Sequence, residues 1–158
     1  MSKKIRIERT FDASLADVWE LWTTKDGIES WWGPEGFRVD VIEIDVRPGG
    51  QLYYAMTATA EPMVAFMKQS GMPVSTKTRI TYTEVTHQRR LAYVNHVDFV
   101  PGKEPYEAPM SVDFELASNG VRLVLTLDPM HDEVWTGRMV AGWESELGKL
   151  ERVIAARR

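Results

Sequence analysis

The sequence predicts an α+β fold, in which an antiparallel sheet of about six to seven strands folds around a long C-terminal helix. Three observations lead to this prediction: several segments alternate apolar and polar residues, Asn119-Gly120 between two of them is a hairpin signal, and Asp132–Arg158 is amphipathic. One strand, two short helices, further strands and a terminal helix follow one another along the chain, which is an α+β order.

The first elements are a strand and two short helices. Apolar and polar residues alternate over Lys4–Phe11, as in a half-buried strand. The capping box at Ser14–Asp17 starts a helix that runs to about Thr24. A second helix is predicted near Asp26–Trp31, before Gly33-Pro34 ends it.

The remaining strands follow from alternation and turn signals. The apolar phase slips by one residue within Phe37–Val46, which predicts a β-bulge and a bent strand. Arg47–Gly50 is a turn, and the strand after it places Leu52, Tyr54 and Met56 on one face. Four more strands are predicted, at Lys77–Val85, Leu91–Phe99, Met110–Leu116 and Val121–Asp128.

A helical segment is predicted inside the sheet, at 60–75. Pro62 fits the first turn of a helix, and Gly71 fits the position just past its end. Its apolar residues share a face, which must cover other apolar groups: Met63, Phe66 and Met67. A mobile lid over a binding site and a fixed plug of the core both account for such a face.

The final stretch reads as a helix that lies on the core. At 100° per residue its apolar residues fall on one arc: Trp135, Met139, Val140, Trp143, Leu147, Leu150, Val153 and Ile154. Gly142 and Glu146 lie inside this arc. A glycine there lets another backbone or a ligand come close. Glu146 is either a solvated residue at the rim or a carboxylate that faces the interior. An interior Glu146 would need a partner, for which Arg79, Tyr82 and His96 are candidates.

Composition fits one domain over residues 1–158 and excludes several function classes. The chain has no cysteine, which rules out disulfides, thiolate zinc sites and a cysteine nucleophile. Its net charge is −4 without a basic patch, which argues against a nucleic-acid partner. No apolar run approaches the ~18 residues of a membrane span, and Met1–Lys4 leads directly into strand-like sequence. We therefore expect a cytoplasmic protein of bacterial type.

A set of motifs spread over nearly the whole chain resembles a known family. The motifs are Trp31-Trp32-Gly33-Pro34, Gly36-Phe37, Asp45, Arg47-Pro48-Gly49-Gly50, Tyr54, Glu84, Arg90-Leu91, Phe114-Glu115, Leu123, Leu125-Thr126, Gly142-Trp143 and Leu147. They resemble the family named after the activator of heat-shock protein 90 ATPase (AHSA-like), which belongs to the START-like, or SRPBCC, superfamily. The resemblance implies a helix-grip fold, in which a curved antiparallel sheet holds the C-terminal helix with a cavity between them. The 60–75 segment is expected to be an insertion relative to this family.

The resemblance implies several functions. Relatives include a eukaryotic chaperone activator with an additional N-terminal domain, bacterial proteins of unassigned role, and proteins that bind hydrophobic molecules or cyclise polyketides. The leading hypothesis is a binding protein for a hydrophobic or lipid-like small molecule, without catalysis. The alternatives are a cyclase or aromatase-like enzyme, in which Glu146 or His96 moves protons, and a chaperone-interacting module. A homodimer is compatible with the sequence.

The candidate binding site consists of large apolar residues and one carboxylate. Aromatic and methionine side chains on a curved sheet often leave space for an apolar ligand. The candidate ligand-binding residues are Trp31, Trp32, Tyr54, Met56, Met63, Phe66, Met67, Tyr82, Tyr93, Trp135, Met139, Trp143 and Glu146. The alternative is that these aromatic residues simply fill the core.

No cofactor, metal site or catalytic residue is predicted. The three histidines lack the spacing of metal ligands. His96 and Asp98 share one side of a strand, which is compatible with metal ligation or acid–base chemistry but more typical of a surface pair. Asp132 is placed to cap the final helix.

Overall fold

A computed structural model of the protein describes residues 4–98, 100 and 102–157. Phe99 and Arg158, which the sequence analysis assigns to a strand and to the final helix, lie outside the described residues. The fold is α+β, as predicted: within the described residues, seven antiparallel strands form one sheet, and the four helices include a long one at the C-terminus. The predicted order of elements is confirmed.

The first elements form where their capping signals predict. Strand β1 (Ile5–Phe11) is followed by α1 (Leu15–Thr23), whose N-cap Ser14 accepts a hydrogen bond from the Asp17 amide at 3.1 Å. Helix α2 (Lys25–Trp31) follows at once, because Thr24 ends α1 and also caps α2.

The predicted bulge lies in the first strand after these helices. Strand β2 (Phe37–Ile44) pairs with β3 (Gln51–Ala58), and the register slips between Val41 and Glu43. An extra residue on one strand bends it and increases its twist, so the slip contributes to the curvature of the sheet at this edge.

The helix predicted between Pro62 and Gly71 is present. Helix α3 covers Glu61–Gln69, and Gly71 follows it with a φ of +73°. Pro62 thus lies in the first turn of the helix and Gly71 just past its end, as predicted. The Ala58 amide donates to the Val74 carbonyl just before β4 (Ser75–Thr86).

Three more strands complete the sheet: β5 (Arg90–Val97), β6 (Tyr106–Ala117) and β7 (Gly120–Leu127). The order of the strands in the sheet is β1-β7-β6-β5-β4-β3-β2. The last hairpin is confirmed, but its turn was misplaced by one residue: Ala117 pairs with Gly120, so the turn consists of Ser118 and Asn119. Gly120 has a φ of +151°, and a Cβ there would lie 1.9 Å from the Phe11 carbonyl oxygen. Gly120 therefore allows the start of β7 to pack closely against the end of β1.

Helix α4 (Glu133–Ala156) crosses the concave face of the sheet, and Asp132 caps it by accepting a hydrogen bond from the Trp135 amide at 2.8 Å. Its closest backbone contacts are with α2 and β1. Side chains therefore span the distance from α4 to the central strands. The buried side chains of α4 all lie in its C-terminal part: Trp143, Glu146, Leu147, Leu150 and Ile154.

Trp143 joins α4 to the rest of the core. Its ring stacks on Trp22 of α1 at 5.9 Å and meets Trp32 edge-on at 5.6 Å. Trp22 in turn contacts Trp31 and Phe114, which places α1, α2 and β6 in the same cluster.

We predict that Trp143→Ala lowers the free energy of unfolding by about 3–5 kcal/mol, the range for removing a large buried aromatic side chain. Urea denaturation followed by circular dichroism measures the change. Val134→Ala is the matched control on the same helix, because Val134 is 62% exposed and its truncation should change stability by less than about 0.5 kcal/mol. Equal effects of the two substitutions would contradict the placement of α4.

Candidate functional site

A buried carboxylate joins α4 to the loop after α2. Glu146 is 9% exposed, and its Oε1 accepts a hydrogen bond from the Gly33 amide at 2.7 Å. The Lys149 ammonium, one turn later, donates to the Gly33 carbonyl at 2.9 Å and to the Trp32 carbonyl at 3.4 Å. The backbone N–H and C=O of Gly33 are thus both held by α4. Gly33 has a φ of +84°, which favours glycine at this position.

Two further contacts hold the same loop. The Ser145 hydroxyl accepts a hydrogen bond from the Glu35 amide at 2.8 Å, and the Glu35 carboxylate pairs with Arg152. The loop is also tied to α3, because the Gly36 carbonyl accepts hydrogen bonds from the amides of Thr59 and Ala60. The Trp32–Gly36 loop, as we call it, therefore links the two helices that flank the concave face.

The interior position decides the protonation behaviour of Glu146. Burial raises its pKa to about 7, although the hydrogen bond from Gly33 and the charge of Lys149 act in the opposite direction. Burial also lowers the pKa of Lys149, which the charge of Glu146 partly offsets. Of the two predicted positions for Glu146, rim or interior, the structure shows the interior one.

Two of the three predicted partners of Glu146 were wrong. Arg79 lies 4.9 Å from the ring centroid of Tyr53, and His96 Nε2 is 2.8 Å from the Thr81 hydroxyl. Both residues occupy the convex face, because they alternate with the buried residues of β4 and β5. A one-residue difference in strand facing moves a side chain to the other side of the sheet.

Three buried tyrosines lie together on the concave face, and two of them, Tyr54 and Tyr93, feel the charge of Glu146. Tyr82 and Tyr93 are cross-strand partners with ring centroids 6.1 Å apart, and Tyr54 lies on the neighbouring strand. Burial raises the pKa of all three, and the negative charge of Glu146 adds to the increase at Tyr54 and Tyr93. The hydroxyl groups therefore remain protonated at physiological pH and can donate hydrogen bonds.

The N-terminal half of α4 is flanked by α3 on one side and β6 on the other. The Arg138 guanidinium lies between two rings, 5.4 Å from Phe66 of α3 and 5.0 Å from Trp135 of α4. On the other side, the ring of His131 contacts both Trp135 and Tyr106 of β6. Since α3 follows β3, this half of α4 lies over the concave face between β3 and β6.

On each element that meets there, a buried residue has a half-buried neighbour on the same face. Buried residues give way to half-buried ones from Tyr54 to Met56, from Ile80 to Thr78, from Tyr93 to Asn95, from Met110 to Ala108 and from Trp143 to Met139. Burial returns at Ala58 and Val97, nearer the strand ends. The half-buried patch therefore lies on the concave face with buried residues at both of its ends. We call the region between Met139, Gly142 and this patch the α4 groove.

Gly142 lies at the centre of the helix face that covers the α4 groove. A Cβ built at Gly142 meets no atom within 4 Å, although the residue itself is half-buried. A side chain at this position would therefore enter open space. The flanking side chains of Met56, Met63 and Met139 are half-buried. Since methionine side chains are flexible, they can move aside for a larger group.

In the described part of the chain, two pockets lie outside the α4 groove. One, of about 280 Å³, lies at the strand ends beside His131 and is lined by Lys103, Tyr106, Glu107, Ala108, Pro109, Asp128, Pro129, Met130 and His131. The other, of about 260 Å³, lies between the start of α1 and the end of α4, and includes Asp12, Asp17, Ile154 and Arg157. Neither is lined by the predicted ligand-binding residues.

A family model matches most of the chain. The model described as "Activator of Hsp90 ATPase homolog 1-like protein" matches residues 12–155. The chain belongs to this family. None of the curated proteins matches the sequence significantly.

Solved structures confirm the fold of this AHSA1-like protein. An AHSA1-like protein from Aeromonas hydrophila is 22% identical, with a TM-score of 0.75 over 98% of this chain and 94% of that one. The AHSA1 protein from Silicibacter pomeroyi is also 22% identical, with a TM-score of 0.74 over 99% and 100% of the two chains. A protein from Chromobacterium violaceum is 19% identical, with a TM-score of 0.76 over 96% and 97%. At these identities the likeness concerns the fold alone.

The structure divides the predicted binding residues of this AHSA1-like protein into three groups. The first group belongs to the buried core: Trp31, Trp32 and Trp143. The second group is also buried and adjoins the inner end of the α4 groove: Tyr54, Tyr82, Tyr93 and Glu146. The third group lies at the mouth of the groove or on α3: Met56, Met63, Phe66, Met67, Trp135 and Met139. Trp31 is fully buried, and its indole donates to the Leu21 carbonyl at 2.8 Å. Within α3, Met67 is 4% exposed and Phe66 is 42% exposed.

Sequence reasoning missed the polar residues of the α4 groove. Thr76, Thr78 and Asn95 lie on its sheet side, and the alternation of β4 and β5 assigns them to the same face as Ile80 and Tyr93. The sequence did contain a signal for them: three polar residues occupy core-facing positions near one end of the sheet.

The described residues contain no group of three or more metal-ligating side chains. Among the described helices, none combines the length and the apolar run that crossing a bilayer requires.

We predict that the titration of Glu146 by itself lowers the free energy of unfolding by about 3 kcal/mol as the pH rises from 4.5 to 7. In this range the unfolded state has released the Glu146 proton, whereas the native state, with a pKa of about 7, retains it. The native state therefore binds more protons, and the free energy of unfolding decreases with pH. Denaturation across this range, in wild type and in Glu146→Gln, isolates the effect.

The glutamine variant keeps an oxygen that accepts from the Gly33 amide but does not titrate. Its stability should therefore exceed that of the wild type increasingly as the pH approaches 7. Identical pH profiles of the two proteins would show that Glu146 is not held in the interior.

Proposed function

We propose that this AHSA1-like protein binds a hydrophobic small molecule in the α4 groove. The observation that carries the proposal is the open space at Gly142, a half-buried residue on the same face of α4 as Met139 and Glu146. A well-packed core leaves few voids larger than a water molecule, so a depression lined by methionine, tryptophan and threonine side chains suits a ligand.

The elements around the α4 groove suit a binding role. Its C-terminal boundary is rigid, because Trp143 is packed among other tryptophans and Glu146 is bonded to Gly33. Its open side has flexible methionines and helix α3, which contacts α4 through the exposed pair Phe66 and Arg138. A rigid inner end and an adaptable mouth allow entry while fixing the position of a bound molecule.

A matched pair of glycines on α4 provides the test. Gly142 faces the α4 groove and Gly137 faces solvent, yet a Cβ at either position meets no atom within 4 Å. Gly142→Leu should therefore fill the space without a backbone clash. It should also raise helix stability, because glycine costs about 1 kcal/mol relative to good helix formers.

We predict that Gly142→Leu weakens binding of the neutral apolar dye Nile red by about tenfold or more, while Gly137→Leu leaves it unchanged. Overfilling an apolar site costs about 1–3 kcal/mol, and 1.4 kcal/mol corresponds to a factor of ten. Fluorescence titration of purified protein gives the dissociation constants, and circular dichroism checks the fold. Wild-type affinity in Gly142→Leu would place any dye site elsewhere and refute the α4 groove as the site.

A further inference from the structure

The inner end of the α4 groove contains a buried hydroxyl group without a partner. Tyr93 is 1% exposed, and its Oη forms no hydrogen bond with any described residue. An unsatisfied buried donor of this kind costs about 1–3 kcal/mol. Tyr93 projects from the concave face of β5, and the next residue on that face, Asn95, is half-buried in the α4 groove. The unpaired hydroxyl thus lies where the sheet side of the groove begins.

Glu146 approaches the same place from the helix side. It lies one turn after Gly142 on the inner face of α4, close enough to Tyr93 for its charge to act on the tyrosine hydroxyl. Gly33 occupies one lone pair of Oε1. A carboxylate has two oxygens with about four acceptor positions, so Glu146 retains acceptor capacity beyond its bond to the loop.

We propose that the α4 groove takes an apolar molecule that carries a hydroxyl group, with the hydroxyl oxygen accepting from Tyr93 Oη and the hydroxyl hydrogen donated to Glu146. This inference rests on the function proposed above and adds the chemical class of the ligand. A hydroxyl group is a donor and an acceptor at one atom, and the inner end of the groove presents one donor and one acceptor from opposite sides.

The charges around the inner end disfavour an anionic ligand. Glu146 is the acidic residue there, and the nearest cation, Lys149, already donates to the carbonyls of Gly33 and Trp32. Above pH 7, where Glu146 has released its proton, a carboxylate head group would bring a second negative charge beside it in a poorly solvated place, where like charges repel strongly. Fatty acids should therefore bind less well than alcohols or phenols of equal length.

Three probes that share the same octyl chain distinguish these possibilities: 4-octylphenol, 4-octylanisole and 4-octylbenzoate. The anisole keeps the oxygen but has no hydrogen to donate, and the benzoate is an anion at neutral pH. Isothermal titration calorimetry, below the solubility limit of each probe, measures affinity. We expect the phenol to bind about five- to tenfold more tightly than the anisole, as a buried hydrogen bond of ordinary strength allows, and the benzoate to bind most weakly.

Tyr93→Phe tests the role of the hydroxyl directly. Removing a buried hydroxyl that has no partner should leave stability unchanged or raise it, so the variant remains folded. The variant should lose about three- to tenfold in affinity for the phenol. Tyr53→Phe is the matched control, because Tyr53 lies on the convex face under Arg79 and should leave all three affinities unchanged.

The outcomes separate the two proposals. If none of the probes binds, the proposed function fails and this inference fails with it. If the phenol and the anisole bind equally, or if Tyr93→Phe retains the full preference for the phenol, the hydroxyl recognition is refuted while the binding function stands. Tightest binding of the benzoate would likewise overturn the inference.

Discussion

The hydrogen bond from the Gly33 amide to Glu146 is the constraint on which the concave side of this protein depends. It fixes α4 to the Trp32–Gly36 loop, and Lys149 strengthens the attachment by binding the Gly33 carbonyl. A buried ionisable residue is expensive unless it is paired and hydrogen-bonded. The backbone amide and the nearby ammonium compensate Glu146 in part, and its remaining cost appears as the raised pKa.

This attachment explains why the two halves of α4 differ. From Trp143 onwards, the helix is buried against tryptophans and leucines, and Arg9 of β1 pairs with Glu144 on its outer side. Before Trp143, none of the described helix residues is buried, and this part contacts Phe66 of α3 and the ring of His131. Because α4 is held at one end and stands away from the central strands, large side chains fill the core at that end, whereas the residues at the other end are half-buried or exposed.

The fold could be predicted from the sequence because its signals are local. The capping residues Ser14 and Asp132 and the slip between Val41 and Glu43 are all found where the pattern indicates. The hairpin turn was misplaced by one residue because Gly120 is required by the approach of the Phe11 carbonyl from another strand, which a local pattern does not contain.

The site was less predictable, since its partners are distant in sequence and partly belong to the backbone. Glu146 was identified by its position within an apolar arc, but its partner is a peptide amide 113 residues away, which no side-chain pattern reveals. Whether a tryptophan lines a space or fills it also depends on packing: Trp31 and Trp135 look alike in the sequence, yet one is fully buried and the other half-buried.

Methyl NMR of methionine-labelled protein tests the central claim most directly, because the eight methionines report on different parts of the molecule. Titration with 4-octylphenol should shift the methyl signals of Met56 and Met139 saturably, with one molecule bound per chain. Met130, which lines the pocket beside His131, and Met72, which follows α3, should not shift. Shifts confined to Met130, or none that saturate, would contradict binding in the α4 groove.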